Sequence, residues 1–109
     1  MVYKARVTRV IDGDTFEAAI EMWPEITILT RVRVFGVDTP ELKSKDVEES
    51  KRAFLARRFT ADQVLSMSVE LVVHGKDSFG RVLCNVKYDG KDLSEELIKN
   101  GHAVEYRKA

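Results

Sequence analysis

The chain has 109 residues, 44% of them hydrophobic and 33% charged, with 18 basic against 18 acidic side chains and a formal net charge of zero. That length and balance describe one globular domain with a single core and exclude a disordered segment. No apolar run is long enough to span a membrane, and the neutral charge counts against tight non-specific binding to a polyanion.

The first half reads as strands. YKARVTRVI, from Tyr3 to Ile11, alternates apolar and polar residues. Asp12-Gly13 supplies a turn, and DTFEAAIEM continues as a second strand from Asp14 to Met22. Trp23-Pro24-Glu25 interrupts. ITILTRVRVFGV, Ile26 to Val37, is rich in β-branched residues at period two and forms the third strand. Thr27, Leu29, Arg31, Arg33 and Phe35 share one of its faces, and Ile28, Thr30, Val32 and Val34 share the other.

Residues 37 to 47 form a polar loop containing Asp38-Thr39-Pro40-Glu41. A stretch without Pro or Gly then predicts a helix from Glu48 to Leu65. Its apolar residues Phe54, Leu55, Phe59, Val64 and Leu65 form no clean stripe. SVELVVHG is a fourth strand, Asp77 to Gly80 a turn, and RVLCNVKYDG a fifth strand closing on the turn pair Asp89-Gly90. A short helix from Leu93 to Asn100 is capped by Asp92, with Glu95 placed for a capping box, and stopped by Gly101. HAVEY is a short terminal strand. Three strands, a helix, two strands and a short helix predict a mainly β fold with helices: a five-stranded OB-type barrel spanning residues 1–109.

Cys84 is the single cysteine and sits in an alternating apolar run, so it reads as a small buried hydrophobe. His74 and His102 lack zinc-ligand spacing; His102 follows Gly101 and suits a capping or packing role. The cluster Lys51, Arg52, Arg57 and Arg58 reads as a solvated helix face. The basic start MVYKARVTRV is followed by no apolar h-region, which leads to the expectation of a cytoplasmic protein or a trimmed secreted form.

The residues that suggest chemistry stand at turns and strand ends. Asp12 and Asp14 flank Gly13, Asp38 and Glu41 flank Pro40, and Arg33 and Arg81 lie beside these turns. Carboxylates from separate loops can hold a hard divalent cation. Arginines can grip a phosphate with a fork of hydrogen bonds. A glutamate near both can take a proton from water. Each piece alone is weak, because an Asp-Gly pair is more often a turn than a ligand and a strand arginine is usually solvated.

Taken together, VIDGDT (Val10 to Thr15), RVRVFGVDTPE (Arg31 to Glu41) and DSFGR (Asp77 to Arg81) resemble the staphylococcal nuclease family in order and spacing. The resemblance extends through SEELIKNGHA. It implies an OB barrel and calcium-dependent hydrolysis of DNA and RNA, cleaving on the 5′ side of the phosphodiester to leave 3′-phosphates. By the same resemblance, Asp14 and Asp38 bind calcium with the backbone carbonyl of Thr39, and Asp12 lies near the metal. Glu41 matches the general base, and Arg33 and Arg81 match the phosphate-gripping pair. The chain departs from the family at Ser78 and Phe79, where a lysine and a tyrosine are usual. The loop after Glu41 is shorter, with Lys43 and Lys45 keeping positive charge there. Only Tyr106 stands near the place of the family's two pocket tyrosines. Phe79, Tyr106, Lys43 and Lys45 are the remaining candidates for substrate contact. The expected partners are DNA and RNA, single strands above all, met by a monomer. The alternative is a module of the same fold that binds nucleic acid or protein with little or no catalysis, and a structural domain of a larger assembly is a third reading.

Overall fold

A computed structural model describes residues 1–106. The elements run β1 (Val2–Asp12), β2 (Thr15–Trp23), β3 (Ile26–Val34), β4 (Val37–Asp38), α1 (Val47–Val64), β5 (Ser68–Lys76), β6 (Val82–Tyr88), β7 (Lys91–Asp92), α2 (Leu93–Lys99) and β8 (Val104–Glu105). Five long strands lie in the order β3-β2-β1-β5-β6, and parallel pairing of β3 with β6 closes them into a barrel. All other pairs in the barrel are antiparallel. This is the OB arrangement, with a helix after the third strand and a short C-terminal helix.

Closure depends on β1 serving two neighbours. Its first half pairs with β5, from Val2↔Val72 to Arg6↔Ser68, and from Ala5 onward it pairs with β2. Register shifts between Val7 and Arg9, and again between Val10 and Asp12, bend the strand between the two sides. The interior is filled by Val7, Phe16, Val32, Val34, Leu71, Cys84 and Val86, with Val64, Leu93 and Leu97 from the helices. Cys84 is fully buried, and burial pushes its thiol up to about 11. It is a packing residue.

The strands match the sequence reading closely, and the differences are local. The third strand stops at Val34, because Phe35 and Gly36 turn the chain with Gly36 at φ 82°. Val37-Asp38 then pairs with Val104-Glu105 as a two-residue ladder within the segment expected to be loop. Helix α1 starts at Val47, with Asp46 as its cap accepting the Glu48 amide at 3.1 Å. Asp92 caps α2 by accepting from Ser94 and Glu95, and its other oxygen takes Lys87 Nζ at 2.6 Å. Asp89 and Gly90 both have positive φ, as a tight hairpin turn requires.

The packed face of α1 needs correction. Phe54, Leu55 and Leu65 are exposed, while Ala53, Ala56, Thr60 and Val64 are buried. The helix docks through its small side chains because the β1–β2 turn lies directly beneath it. A Cβ built on Gly13 would meet Ala56 Cβ at 2.8 Å and Thr39 Cγ2 at 3.0 Å. Thr60 Oγ1 donates to the Gly13 carbonyl at 2.6 Å. Gly13 is therefore needed for close approach, and it is absent from the residues with positive φ. Gly13→Ala is expected to destabilise the fold by about 1–3 kcal/mol, the usual range for overpacking. Denaturant unfolding measures this, and a double-mutant cycle with Ala56→Gly should show a smaller penalty once the opposing methyl is gone.

Candidate active site

The β1–β2 turn carries Asp14 into the protein, where it is 7% exposed. Its Oδ1 accepts from Thr15 Oγ1 at 2.9 Å and its Oδ2 accepts from the Thr39 amide at 3.1 Å. The second bond ties two loops, since Thr39 follows Asp38 directly. Arg33 lies between them. Its Nη1 donates to the carbonyls of Val34 and Val37 at 2.9 and 2.8 Å. Its Nη2 lies 3.3 Å from Asp38 Oδ1 and 3.4 Å from Asp14 Oδ2. The turn at Phe35-Gly36 brings both carbonyls to one guanidinium. Only 13% of the Arg33 side chain is exposed, unlike a solvated strand arginine.

Arg81 approaches from the β5–β6 turn. Its Nε meets Asp77 Oδ2 at 2.7 Å, and Asp77 Oδ1 accepts the amides of Phe79 and Arg81 at 2.9 Å each. Arg81 Nη1 lies 3.4 Å from Thr15 Oγ1, which links it to the turn holding Asp14. The Phe79 ring lies 5.3 Å from the guanidinium carbon and is otherwise exposed.

These groups line one open cleft of about 980 Å³, together with Asp12, Glu41 and Tyr106. Burial raises the Asp12 carboxyl above the ordinary range, and the charges of Asp14 and Glu41 raise it further, against a lowering pull from Arg57 and Arg81. Three carboxylates thus share one field. The candidate ligands Asp14, Asp38 and the Thr39 carbonyl are all oxygen donors, a set suited to calcium or magnesium rather than zinc. Among the described residues, no three side chains of His, Cys, Asp or Glu are gathered as a ready cage. Two aspartates, a carbonyl and water are the set that fits.

The structure brings Asp12, Asp14, Arg33, Asp38, Thr39, Glu41, Phe79, Arg81 and Tyr106 to this cleft. Lys43 and Lys45 are exposed and lie outside its lining. Tyr106 is held by its amide, which donates to Gly36 O at 2.9 Å next to the β4–β8 ladder. Sequence reasoning passed over two residues. Asp77 holds Arg81, and its signal is an acid four residues before an arginine across a Gly-containing turn. Lys76 lines the cleft just ahead of Ser78 and places a cation on that wall.

The fold and cleft define a general class: an OB-barrel domain that presents fixed guanidinium groups beside carboxylates, a chemistry able to receive a phosphate. The comparisons narrow this. A family model for the staphylococcal nuclease homologues matches residues 31–109. Endonuclease YhcR of Bacillus subtilis is 33% identical over 113 residues, covering 95% of this chain and 9% of that protein. An uncharacterized endonuclease of Haemophilus influenzae is 29% identical over 94% of this chain and 52% of its own length. A probable staphylococcal-like nuclease of rice, CAN2, is 31% identical over 71% of this chain and 19% of its own length. The chain belongs to the staphylococcal nuclease family, and it spans about half or less of each of these relatives.

The Asp77–Arg81 pair carries a pH signature. Desolvation pushes the Asp77 carboxyl up, but hydrogen bonds from Arg81 and Phe79 outweigh it and leave the folded-state pKa below the ordinary value. A depressed carboxylate stabilises the fold fully above the unfolded pKa and loses that contribution as pH falls through the folded one. Asp77→Asn is therefore expected to lower Tm near neutral pH, with the difference from wild type closing in acid. Thermal unfolding of both proteins across pH checks this.

Proposed function

We propose that this chain is a calcium-dependent nuclease that hydrolyses phosphodiester bonds of DNA and RNA, single strands above all, and leaves 3′-phosphate ends. The observation that carries this reading is the convergence of Asp14, Asp38, Glu41, Arg33 and Arg81, from four separate stretches of chain, on one cleft. The family membership and the nuclease names of the relatives support it.

Asp14, Asp38 and the Thr39 carbonyl are the residues that would hold the ion. When bound, calcium supplies charge neutralisation and polarisation at the phosphoryl oxygens. Arg33 and Arg81 bind the phosphate and oppose the charge that grows as water attacks phosphorus. Both are already oriented, Arg33 by two carbonyls and Arg81 by Asp77. Glu41 takes the proton of the attacking water. The bond from phosphorus to the 5′ oxygen breaks, and that oxygen leaves with a proton from solvent.

A second reading, binding without cleavage, draws on one observation: both arginines are engaged by aspartates, and a ligand has to compete for their donors. Digestion of single-stranded DNA with calcium, with and without chelator, separates the two. Calcium-dependent cleavage is expected, with products whose 3′ ends lose phosphate to a phosphatase. Glu41→Gln is expected to lower kcat by about 10²–10⁴-fold with the fold intact. Arg33→Ala and Arg81→Ala are each expected to slow cleavage by about 10²–10³-fold. Wild-type rates in Glu41→Gln contradict its assignment as base. Folded protein that binds DNA and cleaves at no calcium level establishes the binding module.

A further inference from the structure

At the end opposite the cleft, β2 and β3 run beyond the barrel as a two-stranded ribbon. β1 registers with β2 only as far as Ile20, and β6 registers with β3 only at Val32–Val34. Among the described residues, no strand pairs with the outer edge of β3 from Ile26 to Arg31. This edge is apolar as well as unpaired. Ile26 is 53% exposed, Ile28 50% and Leu29 61%. Nothing from Ile26 to Thr30 is charged, and no proline interrupts the segment. Soluble proteins usually blunt such an edge with charge, proline or a bulge, because its backbone groups are a template for another strand.

We propose that this edge is an interface between two copies of the chain, with β3 pairing antiparallel to β3 of the second copy across a two-fold axis at Ile28. The charges at the segment's ends select both the occupant and the register. With the axis at Ile28, Ile28 faces the partner's Ile28, Thr27 faces the partner's Leu29, and Ile26 faces the partner's Thr30. Arg31 then lies beside the partner's Glu25, the turn residue just ahead of β3 (φ 68°), close enough for their side chains to meet, and symmetry makes that pair twice. Moving the axis one residue either way, the smallest step at which both edges still present their N–H and C=O groups, sets Arg31 opposite the partner's Trp23 or Thr27 and loses both pairs. Glu25 and Arg31 are both exposed. An unrelated strand would satisfy the backbone equally well, but this segment carries opposite charges at its two ends, which is what antiparallel self-pairing needs. The contact is short, so association is weak and concentration-dependent.

Sedimentation velocity over a concentration series reaching the millimolar range tests this. The expected result is a monomer when dilute and a dimer when concentrated, with amide exchange at Thr27 to Leu29 slowing as the dimer forms. Arg31→Glu is expected to weaken association about tenfold by placing like charges opposite one another. Glu25→Arg combined with Arg31→Glu restores it. Ile28→Lys, which sets two lysines on the axis, abolishes it. Circular dichroism shows whether each variant is folded, and the exchange measurement on wild type needs no variant. A chain that stays monomeric at the highest concentration overturns the proposal and leaves the edge to a strand from a different protein. A dimer indifferent to Arg31→Glu, or one that the double exchange fails to restore, overturns it as well.

Discussion

The rest of the structure depends on the close approach of helix α1 to the β1–β2 turn at Gly13. Ala56 and Thr39 leave no room for a side chain there, and Thr60 takes the Gly13 carbonyl. The turn is thereby clamped between a helix and the loop after β4. Asp14 is the next residue, so its burial follows from the clamp. A carboxylate this buried requires partners, and the Thr15 hydroxyl and the Thr39 amide provide them. Barrel, helix and acidic loop are held by one contact. This explains why the helix docks through alanines and a threonine while Phe54 and Leu55 face solvent.

The electrostatics follow from the same geometry. Burial raises the Asp12 carboxyl, and the charges of Asp14 and Glu41 add to the rise. Arg33 and Arg81 offset part of this charge. Each is held by groups outside any ligand: two carbonyls for Arg33, the Asp77 carboxylate for Arg81. A guanidinium oriented in advance loses less freedom when it meets a phosphate, which is the benefit of a preorganised site. The aspartates beside the arginines, Asp14 and Asp38 at Arg33 and Asp77 at Arg81, also compete with a phosphate for them.

Most of the barrel was legible in the sequence because its strands are half buried and alternate at period two, as in VTRVI and VLCNV. The acids and arginines stand beside turns, where each alone is a weak signal, and the resemblance of their three motifs to the staphylococcal nuclease family is what gathers them into one set. Other features are set by tertiary contact and leave little local trace. The buried face of α1 is decided by what lies beneath it, which is why its large apolar residues form no clean stripe. The β4–β8 ladder joins two-residue segments far apart in the chain. Asp77 resembles any turn aspartate until its carboxylate is seen on Arg81. The outer reach of β3 follows the same apolar pattern as its buried half, and only the register of β1 and β6 shows that neighbours are missing there.

The cleft divides into a floor and walls of different character. The floor groups, Asp14, Arg33 and Thr39, are buried or nearly so and tied to one another across the loops, with Thr15 bonded to Asp14 from behind. The walls are exposed: Phe79 on the β5–β6 turn, Lys76 before it, and Tyr106 beyond β8. A floor residue has several partners to lose, so substitution there disturbs the fold and the chemistry together. A wall residue such as Phe79 has one ring-to-guanidinium contact with Arg81 and otherwise meets solvent. Ser78 and Phe79 stand on that exposed wall, away from the bonds that hold the floor together. Lys76 places a cation on the same wall. In the proposed reaction, variation on this wall alters which nucleotide is held, and how firmly, while the groups around phosphorus keep their places.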